Sequence, residues 1–109
     1  MVLVAKYLWL ASYSTDGIKG LLKEGGSSRR DAVEKVVADL GGTLDAFYFA
    51  FGDDDVYVIA DLPDNTTAAA VSLAVGASGA VRIKTAVLLS PDEVDRAVHT
   101  TVGYRAPGK

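Results

Sequence analysis

The 109-residue chain has no cysteine, so disulfides, thiolate metal sites, iron–sulfur clusters and cysteine nucleophiles are excluded. It has a single histidine, His99, which leaves little material for a histidine-based metal centre or a histidine catalytic set. It has little charge: 23% of residues are charged and the net charge is -3, with no basic surplus. That balance argues against broad electrostatic binding to nucleic acid or anionic membrane. It also lacks any apolar run long enough for a membrane span. The start, MVLVAKYLWLA, is interrupted by Lys6 and lacks the charged region of a signal peptide, so it reads as a strand. These features predict a cytoplasmic protein.

What is present is a core. Half of the residues are hydrophobic, which suffices for one domain over residues 1–109 and excludes general disorder. Residues 4–13 are rich in β-branched and aromatic types and predict the first strand. Ile18, Leu21 and Leu22 have helical spacing, in a segment stopped at Gly25-Gly26. Ser27 or Ser28 is the expected cap of a second helix, Ser28 and Asp31 forming a box. Ala32, Val33, Val36, Val37 and Leu40 share one face of it, and Gly41-Gly42 ends it. Strands are predicted over 43–51 and 55–61, a helix over 66–77 and a strand over 81–89. Ser90-Pro91-Asp92-Glu93 is a strong start for a last helix, with serine cap, proline at the first position and glutamate closing the box.

The order β-α-β-β-α-β with an extra C-terminal helix predicts an α+β, ferredoxin-like fold, with an antiparallel sheet and helices on one face. The other face is then bare. Strand alternation groups Tyr7, Trp9 and Tyr13 together, Phe47 with Phe49, Tyr57 with Asp61, and Arg82 with Lys84. Assigning these sets to the bare face makes an aromatic patch, with Arg82 and Lys84 beside Asp45 and Asp61. A face this apolar predicts a homo-oligomer that buries it, with a small anionic or aromatic ligand held between the sheets. The alternative is a cofactor-free small enzyme of monooxygenase or isomerase type, by fold analogy. Its polar groups would be Tyr7, Tyr13, Asp61, Arg82 and His99.

The motif order also resembles the GYD domain family of small bacterial and archaeal proteins. The resemblance rests on KYLWLASYSTDGIKGLLKEGGSSRRDAVEKVV, GGTLDAFYFAFG, DVYVIADLPD and ASGAVRIKTAVLLSPDEVDRA, and covers nearly the whole chain. It implies a ferredoxin-like fold but no particular activity. Of the Gly, Tyr and Asp that name the family, Gly52 and Asp55 match here, and Asp54 stands at the tyrosine position.

Other motifs carry less. Asp53, Asp54 and Asp55 are consecutive, so they do not converge as a calcium loop would; Gly52, Asp53 and Asp54 read as a hairpin turn, with Asp55 accepting from nearby backbone. KEGGSSRR places Gly25, Gly26, Ser27, Ser28 and Arg29 at a helix N-terminus, a weaker anion site without the Walker A spacing. Ser12 and Ser14 lack a nucleophile elbow. FYFAFGDD has acids where an RNA-binding aromatic strand needs bases, so no nucleic acid partner is expected. No cofactor or metal is expected.

Overall fold

The computed structural model describes residues 5–109. The elements run β1 (Ala5–Tyr13), α1 (Thr15–Glu24), α2 (Gly26–Asp39), β2 (Thr43–Phe49), β3 (Val56–Leu62), α3 (Asn65–Ala77), β4 (Val81–Leu88) and α4 (Pro91–Val98). Residue 4, the expected first strand residue, lies outside the described residues. The strands form one antiparallel four-stranded sheet in the order β2-β3-β1-β4. The protein is thus α+β, with four helices among the described residues.

Local chemistry sets the boundaries. Gly41, at φ 83°, lets α2 close in a Schellman turn, in which Gly42 N–H donates to Val37 O and Gly41 N–H to Ala38 O. Gly42 is also required by space, because a Cβ there would sit 2.2 Å from the Asp61 carbonyl oxygen. The Asp64 carboxylate caps α3, accepting from Thr67 N–H and its hydroxyl; these bonds hold its pKa below the usual carboxylate value. The box at α4 forms as the sequence predicts, with Ser90 and Glu93 bonded reciprocally and Pro91 at the first turn. The start of α2 differs. Gly25, at φ 84°, is its N-cap and no side chain caps it, so the Ser28–Asp31 box does not form. Gly25 turns the chain directly from α1 into α2, leaving both serines inside the helix.

The register decides which side chains meet the helices. Tyr7 pairs with Ala60, Trp9 with Val58 and Ala11 with Val56, while Phe47 and Phe49 pair with Val58 and Val56. Tyr7, Trp9, Val56, Val58, Ala60 and Leu62 are buried in the core with Val37 and Ala68. Phe47, Phe49 and Tyr13 are half-buried against that core. The expected placement of Tyr7, Trp9, Tyr13, Phe47 and Phe49 on the bare face is therefore corrected. The helices opposite them carry small residues beside the rings, among them Ala68 and Gly26, which leave depth for large side chains. A Cβ on Gly26 would come within 3.0 Å of the Phe49 ring. Tyr7 tolerates burial because its hydroxyl donates to Asn65 Oδ1 at 2.5 Å.

The opposite face carries Leu8 and Leu10 paired with Ile59 and Tyr57, and Tyr48 opposite Tyr57. Arg82, Lys84 and Ala86 continue it on β4. Lys6 bonds Asp45 and Asp61, the latter at 2.9 Å, so these acids are not the partners of Arg82 and Lys84. Asp45 reaches Lys6 from a register irregularity between Leu44 and Ala46.

Candidate functional site

Sheet and helices do not close completely. Between them lies a cavity of about 190 Å³. Its floor is Trp9, Val56, Val58 and Ile83; its walls are Val33 and Val37 of α2 and Val71 and Val75 of α3. β-Branched valines suit both surfaces here, since each packs flat and leaves the gap between α2 and α3 unfilled. A groove of about 420 Å³ continues outward from it, sharing Tyr13, Arg29, Val36, Val71, Val75 and Val81.

Three polar side chains, Trp9, Tyr13 and Arg29, line the inner cavity, and each carries a donor. Trp9 is only 2% exposed, and its indole Nε1–H is buried with no acceptor among the described residues. A buried donor without a partner costs roughly 1–3 kcal/mol, so this atom is the most telling in the site. The second donor is the Tyr13 hydroxyl. Burial raises its pKa, Arg29 beside it pulls the other way, and Glu24 and Asp55 add to the rise. The balance keeps the phenol protonated at neutral pH. Arg29 supplies the third donor. It is half-buried and makes no ion pair among the described residues. Asp16 and Glu24 stand further out, along the groove.

The strand ends are tied by the acidic triplet. Asp55 accepts from Tyr13 N–H at 2.9 Å, as the sequence suggests, and so fixes Tyr13 at the cavity. Asp54 is more than a turn residue. It is buried, its carboxylate accepting from Ser12 Oγ at 3.3 Å and from Lys84 Nζ at 3.2 Å. Only Asp53 behaves as a plain exposed turn position.

The residues singled out from the sequence thus divide. Tyr7, Trp9, Tyr13, Phe47 and Phe49 lie on the helix side, and of these Trp9, Tyr13 and Phe47 line the cavity. Tyr57, Asp61, Arg82 and Lys84 lie on the open face, where Arg82 makes no ion pair among the described residues. His99 is the exposed C-cap of α4 and lines neither the cavity nor the groove beside it. The polar groups required by the enzyme alternative are therefore not brought together. In the first turn of α2, Ser27 and Ser28 are exposed, while Arg29 belongs to the cavity. Val33 and Val37 are legible as one helix face and Val71 and Val75 only as part of the helix predicted over 66–77, and nothing in their spacing marks a gap between the helices. Among the described residues, no three His, Asp or Glu side chains stand together as a metal set. Among them, too, no helix is long and apolar enough to cross a membrane.

Compared with known proteins, the chain matches the family model described as GYD domain over residues 7–98. No curated protein and no solved structure matches it.

Proposed function

The chain belongs to the GYD domain family, its match running from β1 through α4, and from that premise we propose that it is an oligomeric, cytoplasmic small-molecule-binding protein of ferredoxin-like fold. The strand order β2-β3-β1-β4, with helices between β1 and β2 and between β3 and β4, supports the fold reading. The ligand site is the cavity between sheet and helices rather than the seam between two sheets. Its ligand is a small acid with an apolar or aromatic body. The observation that carries this is the buried Trp9 Nε1–H without an acceptor among the described residues.

The chemistry follows from the lining. Aliphatic and aromatic walls take an apolar body and exclude water from it. Trp9, Tyr13 and Arg29 all present donors, so the group they hold must be rich in acceptors. Arg29, without an ion pair among the described residues, favours one that is charged. The open face, with Leu8, Leu10, Ile59 and Tyr57, buries against another copy.

Thermal unfolding with phenylacetate, hexanoate and the neutral phenylacetamide tests the site. The acids should raise Tm and the amide should do so far less. Arg29→Ala, and Val71→Phe, which fills the cavity, should remove the rise; Arg82→Ala should leave it intact. Loss of the rise in Arg82→Ala but not in Arg29→Ala would move the ligand to the open face and sink the cavity reading.

A further inference from the structure

The last twenty residues do not behave like part of a folded monomer. Every residue from Leu89 to Arg105 is exposed, including all of α4. Leu89, Val94, Val98, Val102 and Tyr104 are 45–75% exposed, large and apolar. The chain's radius of gyration is 16.9 Å and its longest extent 55 Å. A packed domain of this length has a radius near ~13 Å. The excess fits an arm carried beyond the sheet edge by β4, which is an edge strand.

Isolated helices shorter than ~12–15 residues are marginal in water. The eight residues of α4 nonetheless carry a full capping box, proline at the start, and acids in the first turn with Arg96 in the last. Such a helix is specified by its sequence, yet it lacks the packing that stabilises helices in proteins. Val94 and Val98, four residues apart, lie on one face of it.

We propose that α4 and the following residues to Arg105 form an arm that clasps a second copy of this chain, closing a two-fold dimer whose open sheet faces stack. This rests on the oligomer part of the reading above and supplies what that part lacks. Four strands at ~4.8 Å spacing and about seven residues at ~3.3 Å each give a face of roughly 450 Å². Two stacked faces therefore bury on the order of 900 Å², short of the ~1,200–2,000 Å² of stable interfaces. An eight-residue helix has a footprint of roughly 120 Å², and an extended tail adds a similar amount. Counted on both surfaces for two arms, that brings the total to roughly 1,800 Å², within the stable range.

Charge fits the same geometry. On the β2 side of the face, Lys6 stands between Asp45 and Asp61, leaving one negative charge in surplus. On the β4 side, Asp54 answers Lys84 and leaves Arg82 in surplus. The acids lie at the Lys6 end of β1 and Arg82 opposite Ser12 at its other end, so a two-fold axis in the sheet plane, oblique to the strands, sets Arg82 of one copy toward the acids of the other.

Analytical ultracentrifugation of the full chain, with single-face and arm variants, tests the clasp. The wild type should sediment as a dimer at micromolar concentration. Leu10→Lys on the face should raise the dimer Kd by at least ~100-fold, and Val94→Asp/Val98→Asp on the arm by at least ~10-fold. Both arm positions are exposed in the monomer, so far-UV circular dichroism should show the variant folded. A wild type that stays monomeric at high concentration overturns both the face reading and the clasp. A Leu10→Lys monomer beside an arm variant that dimerises normally overturns the clasp alone. An arm variant that dissociates while Leu10→Lys stays dimeric places the arm elsewhere and overturns the stacked-face geometry. None of these outcomes bears on the cavity, whose binding is read by the thermal shifts.

Discussion

Trp9→Phe should cost the folded, ligand-free protein almost nothing. Trp9 is 2% exposed, and ordinarily shrinking so buried a ring is expensive. Replacing indole by phenyl removes roughly 40 Å³, which at ~24 cal/mol per Å³ is about 1 kcal/mol of cavity cost. Lost apolar transfer brings this to about 1–2 kcal/mol. The same change deletes the Nε1–H that has no acceptor, relieving a desolvation cost of about 1–3 kcal/mol. The two terms nearly cancel, so the net change should fall within about 1 kcal/mol of zero. Trp9→Ala lacks the compensation in proportion and should lose about 3–5 kcal/mol. The assay is urea unfolding followed by far-UV circular dichroism, on protein refolded from denaturant to strip small molecules. A loss of about 3 kcal/mol or more in Trp9→Phe would mean that the indole N–H is well bonded in the free protein, and the case for a waiting donor would fail.

Other changes probe the frame around the site. Gly42→Ala places a Cβ 2.2 Å from the Asp61 carbonyl oxygen and 2.8 Å from a Leu62 methyl; it should cost about 3 kcal/mol or more by urea unfolding. Gly20→Ala, inside α1 with nothing within 4 Å of the new methyl, should instead stabilise by about 0.5–1 kcal/mol on the same assay. Asp54→Ala should lose about 1–2 kcal/mol, chiefly from the stranded Ser12 hydroxyl, because Lys84 is 68% exposed and its share is screened. Burial, with Asp64 adding, raises the Tyr7 pKa above the ordinary 10.0, and burial likewise raises that of Tyr13. The unfolded chain therefore ionises first, so stability should hold below pH 10.0 and fall as pH rises from there toward the folded values. Urea midpoints at rising pH check this: Tyr7→Phe should flatten the fall, and an unchanged slope would contradict it.

The sequence makes the elements legible because their signals are local. Ser90 to Glu93, Gly41-Gly42 and the alternation of FYFAF each depend on neighbours a few residues away. Alternation also pairs Tyr7 with Trp9, Phe47 with Phe49 and Tyr57 with Asp61 correctly, but it misplaces Asp45, which the irregularity between Leu44 and Ala46 takes off the face of Phe47. What it cannot give is which set meets the helices. That depends on the depth left by residues far along the chain, such as Gly26 under Phe49 and Ala68 in the core. Tyr57, Arg82 and Lys84 do fall on the open face, since the residues that alternate with them on their own strands, Val56, Val58 and Ile83, are aliphatic and lie in or against the core. Asp54 hides its role among three acids because Ser12 and Lys84 approach it from other strands. Arg29 reads as part of a glycine loop until Gly25 turns α2 so that its side chain reaches the cavity. A gap between two valine-lined helices has no local signature at all.

The chain has one tryptophan, so it has one indole N–H resonance, and that resonance belongs to the donor in question. The most direct measurement is a nitrogen–proton correlation spectrum of the full chain titrated with phenylacetate. The indole proton should move downfield and exchange more slowly as it gains an acceptor, with Arg29→Ala weakening the titration at least ~10-fold. An indole signal that stays fixed while the amides of Leu10 and Tyr57 shift would place the ligand on the open face and contradict a binding site between sheet and helices.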